Sequence, residues 1–429
     1  MNMKVLWFTN LPIGEAPSLM GVGKSVFGGW LEGLFGQLAS LDDIALSVAF
    51  PSPHTKMSSL SGLRAKYHPF PSGPSGMEPA SATVHRIQEI LDIAKPDIVH
   101  VFGTELQHSV AVMRLCREHG IPALLQMQGL MGSIAQHYMG WLPEHVTRRA
   151  TPVEVLRGRT LGQIRRSFFA AAELESQALR LADHVLGRTT YDRGWAQQVN
   201  PAAMYHAAEE TLRDAFYKGE WSMDKCERFT LFVSQAVAPY KGAHMAIRAL
   251  PIILNRFPRT RLLIAGPNPI GGHNPRDVIR RTSYGWYLRG LIRKLGLVKQ
   301  VHFVGSLDEN TMREHYFKSH VFLSCSSVEN ESNSVSEAKM LGVPVVASYV
   351  GGVPDRVEHG ITGYLYQGDA PYMLAHFVTD ILADDALAAH LGSKARTDAL
   401  SRHDRVRNLN RILEIYSTIT GLKHEAGRG

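Results

Sequence analysis

The stretch Ser327-Val328-Glu329-Asn330-Glu331-Ser332-Asn333-Ser334-Val335-Ser336-Glu337-Ala338-Lys339-Met340-Leu341-Gly342-Val343-Pro344-Val345-Val346-Ala347-Ser348 decides how the rest of the chain is read. Its two carboxylates, Glu329 and Glu337, have seven residues between them. Ser334 suits a helix N-cap, and Glu337 would close a Ser-x-x-Glu capping box with it. Gly342 suits a left-handed C-terminus, and Pro344 leads into an apolar strand, Val345 to Ala347. The spacing thus predicts loop, helix, turn and strand in that order. Such a loop turns backbone N–H groups and the positive end of the helix dipole toward open space, where a phosphate can be held. Taken alone, the two glutamates also fit a plainer account, in which Glu337 caps its helix and Glu329 is solvated.

Outward from this stretch, short apolar runs alternate with helical segments, the pattern of parallel sheets built from βαβ units. The first five runs are Val5 to Phe8, Ile44 to Phe50, Ile98 to Phe102, Ala123 to Met127 and His184 to Gly187. The second five are Thr230 to Ser234, Arg261 to Ala265, Val301 to Val304, Val321 to Ser324 and Val345 to Ala347. Two sets of runs ask for two Rossmann-like sheets, and 429 residues suit two domains of about 200 each. A polar stretch, Asn200 to Glu227, precedes the second set. We therefore expect an α/β chain with an N-terminal domain over 1–205, a linker over 206–227, a C-terminal domain over 228–403 and a last helix within 404–429.

Composition narrows the class. With 45% hydrophobic and 20% charged residues the chain is globular, and no run approaches the ~18 apolar residues of a membrane span. Met1 to Phe8 reads as a strand rather than a signal peptide, so a cytoplasmic place is expected. Cys116, Cys226 and Cys325 are scattered and form no CxxC pair, which points to neither a disulfide framework nor a metal cage. A net charge of +7 favours an anionic partner such as a nucleoside diphosphate or an acidic lipid surface, while no nucleic-acid-binding motif is present. Gly23-Lys24-Ser25 is not a phosphate loop, because Ser18 stands where that motif needs glycine. Two segments mix arginines with large apolar residues. One carries Arg148, Arg149, Arg157, Arg159, Arg165 and Arg166 beside Leu156, Leu161, Phe168 and Phe169. The other runs from Arg276 to Lys294. Both patterns fit a membrane-surface contact, and both fit solvated helix faces.

The paired glutamates, Ala338, the run from Gly342 to Ala347, Gly351-Gly352 and the Gly360-x-x-Gly363 turn together resemble the retaining, sugar-nucleotide-dependent glycosyltransferases of family 4. The resemblance implies a GT-B architecture, two Rossmann-like domains facing across a cleft, with the last helix crossing back to the first. On the matching positions, Glu329 would hold the donor sugar's hydroxyls and Glu337 the ribose hydroxyls. Lys241, with the amides of Asn333 and Ser334, would offset the diphosphate. The family places an arginine six residues before that lysine; here the position is Gln235, which can donate hydrogen bonds but brings no charge. Gly28-Gly29 matches the family's glycine pair at the first helix, and Val304 falls near its nucleobase contact. Gln128 replaces a histidine close to the transferring sugar and cannot serve as a general base.

The expected reaction is transfer of a sugar from a UDP- or GDP-linked donor to a glycan or lipid-linked acceptor. No cofactor and no metal are called for, no Asp-x-Asp motif occurs, and a peripheral contact with an anionic membrane at its inner face is the basic segments' role. Surface polysaccharide or glycolipid synthesis is the family's common destination. The alternatives are a sugar-nucleotide 2-epimerase of the same fold and a non-catalytic sugar-nucleotide-binding protein. Gln128 and Gln235 speak for the latter. His100, His108 and His137 are further candidates for polar contact.

Overall fold

The computed structural model describes residues 2–23, 29–53, 58–71, 80–272 and 274–422. Fourteen strands are present among them. They are β1 (Met3–Phe8), β2 (Ile44–Ser52), β3 (Leu60–Ser61), β4 (Lys66–Pro71), β5 (Ile98–Phe102), β6 (Ala123–Gln126) and β7 (His184–Gly187), then β8 (Met204–Ala207), β9 (Thr230–Val233), β10 (Arg261–Ala265), β11 (Val301–Gly305), β12 (Val321–Ser324), β13 (Val345–Ser348) and β14 (Tyr364–Tyr366). The ten expected runs are all strands, within two residues at either end. β3, β4, β8 and β14 are additional.

One sheet has the order β3-β4-β2-β1-β5-β6-β7-β8 and is parallel apart from β3. The other, β11-β10-β9-β12-β13-β14, is parallel throughout. Strand alternation sorts the first core onto two faces. Leu6 and Phe8 join the cluster of Ile87, Ile90, Val110 and Met113. Val5 and Trp7 face Phe35, Leu38, Ile412 and Tyr416. β12 and β13 are buried at every residue, as parallel strands with both faces covered must be.

The chain folds as two compact units. The first holds Met1–Met131, Ala170–Arg213 and His403–Gly429, and the second Gly132–Phe169 and Asp214–Arg402. This corrects the expectation of an unbroken 1–205 domain. Residues 132–169 pack with the second sheet, for reasons local to that unit. The buried carboxylate of Glu154 accepts from the Thr151 amide (2.8 Å) in a capping box and from both the amide and hydroxyl of Ser283 (3.0 and 3.1 Å). The His244 ring, fully buried, donates to the Gly140 carbonyl. The expected linker over 206–227 is divided between the units, residues 206–213 belonging to the first and 214–227 to the second. There the Trp221 indole donates to the Ser319 carbonyl at 2.7 Å. In the first unit the helix Arg405–Thr420 seats Tyr416, whose hydroxyl meets the Trp7 indole (3.0 Å) and His100 Nδ1 (2.7 Å).

Candidate functional site

In the second sheet strand order reverses between β9 and β12, and the carboxyl ends of strands at such a switch point are where open α/β sheets bind ligands. Two loops leave there. The one after β9 carries Gln235 and closes in a 3-10 turn, Pro239–Lys241. The one after β12 carries Ser326, Ser327 and Glu329 into the helix Asn333–Leu341.

Lys241 and Glu329 meet across this point. Lys241 Nζ donates to Glu329 Oε1 at 2.7 Å, and Ser326 Oγ donates to the same oxygen at 2.7 Å. Burial by itself would lower the Lys241 pKa, but the Glu329 charge, Tyr240 and the Glu329 hydrogen bond outweigh it. The ammonium is held above its ordinary value. The turn cannot relax away from the loop. Gly242 has φ 72°, and a Cβ there would lie 1.7 Å from the Cys325 carbonyl oxygen. The Ser327 amide donates to the Tyr240 carbonyl at 2.7 Å, and Ser327 Oγ donates to the His137 carbonyl, also at 2.7 Å. The Gly351-Gly352 turn adds its own tie, the Gly352 amide donating to the Glu329 carbonyl at 3.0 Å.

The helix Asn333–Leu341 starts earlier than its capping-box pattern predicts. Ser332 is the N-cap and offers no side-chain cap, while Ser334 lies inside the first turn with its hydroxyl 3.1 Å from that of Ser332. The Val335 and Ser336 amides both reach the Ser332 carbonyl, so the opening amides of the helix are those of Asn333 and Ser334. Gly342 ends the helix with φ 84° as expected. Glu337 is buried, one turn in from the N-terminus. Under the helix lies a cluster of charges that sequence reasoning passed over. Arg356 and Glu331, both buried, stand 3.5 Å apart, and Lys339 Nζ donates to Asp398 at 2.5 Å and to the Arg356 carbonyl. The Arg356–Glu331 pair ties the end of the Glu329–Glu331 loop to the chain after Gly352, and no local sequence signal marks either pair.

The other expected residues are more scattered. Gln235 is exposed at the end of β9, beside Gly266, which follows neighbouring β10. Val304 is half-buried on the edge strand β11, next to Gly305, where pairing with β10 shifts register. In the first unit, Gln128 is half-buried after β6, and Gly29 opens the helix Gly29–Leu38, where a Cβ would come 2.7 Å from Arg213 Cδ. Gly28 lies outside the described residues. His100 and His108 are buried and pushed down, to about 3 and about 4, chiefly by that burial. Of His137, the backbone carbonyl is what engages Ser327. Among the described residues no three His, Cys, Asp or Glu are grouped to hold a metal ion.

The basic segments are only partly free surface. Arg148 pairs with Glu144, and Arg165 donates to the Ala135 carbonyl at 2.9 Å while lying over the Phe169 ring. Arg149, Arg157, Arg159 and Arg166 are exposed, with Val155 and with Leu156 at 87% exposure. In the second segment Arg281 is structural. It is buried, donates to the Ile270 and Gly272 carbonyls and lies 4.3 Å from the Trp286 ring centroid.

Comparison with known proteins bears on these residues directly. Residues 216–398 match the family model described as Glycosyl transferases group 1. That span contains Lys241, Glu329 and Glu337. The chain is 25% identical over 230 residues to the D-inositol 3-phosphate glycosyltransferase of Streptomyces avermitilis, covering 54% of this chain and 48% of that protein. It is 31% identical over 188 residues to the GDP-mannose-dependent alpha-(1-6)-phosphatidylinositol monomannoside mannosyltransferase of Mycolicibacterium smegmatis, covering 42% and 46%. The chain thus spans about half the length of the curated relatives it matches. Among solved structures, sucrose-phosphate synthase from Thermosynechococcus elongatus aligns over 98% of this chain and 100% of its own with TM-score 0.69 and 16% identity. Anabaena HepE in complex with UDP aligns over 97% and 100% with TM-score 0.65 and 19% identity. The fold is GT-B, with two parallel-sheet α/β units. No helix among the described residues is long and apolar enough to cross a membrane.

Proposed function

We propose that the chain is a retaining glycosyltransferase that moves a sugar from a nucleoside diphosphate donor to an acceptor hydroxyl. The observation carrying this reading is the Lys241–Glu329 pair at the switch point, beside the N-terminus of the helix that bears Glu337. Lys241 and the Asn333 and Ser334 amides offset the diphosphate as it leaves, stabilising the charge that develops on it. Glu329 has Oε1 occupied by Lys241 and Ser326, and its other oxygen accepts from the donor sugar's hydroxyls. Glu337 accepts from the ribose hydroxyls. Gln235 hydrogen-bonds the diphosphate without adding charge, Val304 flanks the base, and Gly29 and Gln128 serve the acceptor side.

A lysine and a helix N-terminus supply the neutralisation that a divalent cation gives elsewhere, so the reaction needs neither metal nor cofactor. The complexes of HepE with UDP and with UDP-glucose support a UDP-linked donor, and the GDP-mannose dependence of the mycobacterial relative supports a GDP-linked one. The phosphatidylinositol mannoside named for that relative supports a lipid-linked acceptor, and a glycan acceptor meets the same chemistry. The exposed arginines and Leu156 would hold a cytoplasmic enzyme against the anionic inner leaflet during surface glycan or glycolipid synthesis.

The test is incubation with a panel of UDP- and GDP-sugars and acceptors, with and without EDTA, reading nucleoside diphosphate release. Release that survives EDTA is expected; conversion of donor to its epimer without acceptor would replace the reading with an epimerase, and donor binding without turnover would replace it with a binding protein. Calorimetry on variants divides the roles. Glu337→Ala should weaken nucleoside diphosphate binding by about 1.5–3 kcal/mol, the range of a charge-assisted bond. Glu329→Ala should depress turnover and leave that affinity nearly intact. Equal loss of affinity in the two variants would sink the assignment.

A further inference from the structure

The first sheet has an open cavity of about 440 Å³ at the end opposite the strand carboxyl termini. Its floor is the amino-terminal half of β1, β2 and β4, on the face that farther along buries Leu6, Phe8, Ala49 and Phe70. The helix Ser81–Ala94 covers that farther part. At the strand beginnings its last turn only forms one wall, through Ile93 and Ala94, and the β3–β4 turn forms the other. Lys4, Arg64 and Lys66 line the space, are exposed, and make no ion pair among the described residues. Two neighbouring acids accept from backbone amides. Glu15 accepts from the Leu63 and Arg64 amides, both at 3.2 Å, and Asp97 accepts from the Lys4 amide at 2.7 Å. Glu15 thereby fixes the turn that presents Arg64.

A buried polar side chain also lines this space. His68 lines the cavity at 1% exposure, its Nδ1 is 2.8 Å from Ser59 Oγ, and its Nε2 has no hydrogen-bond partner. Leaving such a group unpaired is unfavourable, and a hydrogen-bonding ligand atom would relieve it. Burial, and then Arg86 and Lys66, push the ring down to about 4, so it is neutral near pH 7 and can offer Nε2–H to an anionic oxygen.

We propose that this cavity is a second ligand site, separate from the transfer site, for a phosphate monoester with a small uncharged body. Lys4, Arg64 and Lys66 bind the dianion, His68 Nε2 donates to it, and the apolar wall with Ile93 covers the carbon skeleton. The volume is that of ordinary small-molecule sites. Its position at the strand beginnings sets it apart from the Lys241–Glu329 pair, which belongs to the other sheet.

Calorimetry at low ionic strength with phenyl phosphate, and with benzyl alcohol as the uncharged control, tests it. Saturable binding of phenyl phosphate alone is expected. It should weaken about tenfold or more in Arg64→Gln/Lys66→Gln, whose exposed side chains can change without loss of folding, and persist in Lys241→Ala. Vesicles containing phosphatidate form the second arm. Binding that depends on Arg64 and Lys66 only with vesicles assigns the phosphate to a lipid headgroup. If neither probe binds in a manner dependent on Arg64 and Lys66, or if Lys241→Ala abolishes phenyl phosphate binding, the site does not exist.

Discussion

At the scale of single residues, charge placement is decided by what each group loses on burial and what it gains from a neighbour. Lys241 gains more from Glu329 than burial removes, and stays charged. Glu175, in the first unit, shows the opposite balance. It is fully buried, and burial pushes it from 4.5 up to about 7, against the Met131 amide (3.1 Å) and Thr104 hydroxyl (3.2 Å) that donate to it; Glu105 adds a further upward push. Below about pH 4.5 the group is protonated folded or unfolded, and its contribution is fully present. Between there and about 7 only the folded state keeps the proton, so stability falls as pH rises, by on the order of 3 kcal/mol in all. Denaturant titrations across that interval should show a shallower fall in Glu175→Gln. An unchanged slope would mean Glu175 ionises normally in the fold.

At the scale of elements, the helix Asn333–Leu341 and the turn Pro239–Lys241 are held by backbone fit. Gly242→Ala must move the Cys325 carbonyl away from a Cβ at 1.7 Å and hold alanine at φ 72°, and should cost at least ~3 kcal/mol by thermal unfolding. Gly194, within the helix Thr190–Val199 and with nothing within 4 Å of a new Cβ, is the control. Gly194→Ala should be neutral or stabilising by up to ~1 kcal/mol. Similar losses in both variants would show that the close approach at Gly242 is not what matters. The ten expected strands were legible because each centres on a mainly apolar run set off by polar or turn residues. β4 was not, because Lys66, His68, Pro69 and Pro71 break its run; His206 interrupts β8, and β3 and β14, with two and three residues, are too short to show a period. The capping box was legible as a pattern but not in place, since Ser332 took the cap position and moved Ser334 into the first turn.

At the scale of the whole molecule, residues 144–169 combine exposed cations with exposed Val155 and Leu156. An anionic leaflet contributes about 1 kcal/mol per basic residue at its surface and is screened over ~8–10 Å in physiological salt. Sedimentation with vesicles containing phosphatidylglycerol should therefore show binding that weakens with salt. Changing Arg149, Arg157, Arg159 and Arg166 to Gln should reduce it by tenfold or more, roughly one kilocalorie or so being most of a decade each. Indifference to anionic vesicles at low salt would make this an ordinary solvated surface.

By itself the sequence determined the alternation of strands and helices, and hence the two parallel α/β sheets, because hydrophobic period and turn residues act over a few neighbours. Through its resemblance to family-4 glycosyltransferases it also singled out Lys241, Glu329 and Glu337 as candidate site residues. Only the tertiary structure decided that Lys241 and Glu329, 88 residues apart, share a hydrogen bond. Tertiary packing alone also decided that residues 132–169 join the second sheet, and that Arg281 and Arg165 serve packing rather than surface charge. Those outcomes depend on which distant carbonyl or carboxylate comes within reach of a side chain once the sheets have closed, and no local pattern encodes that distance.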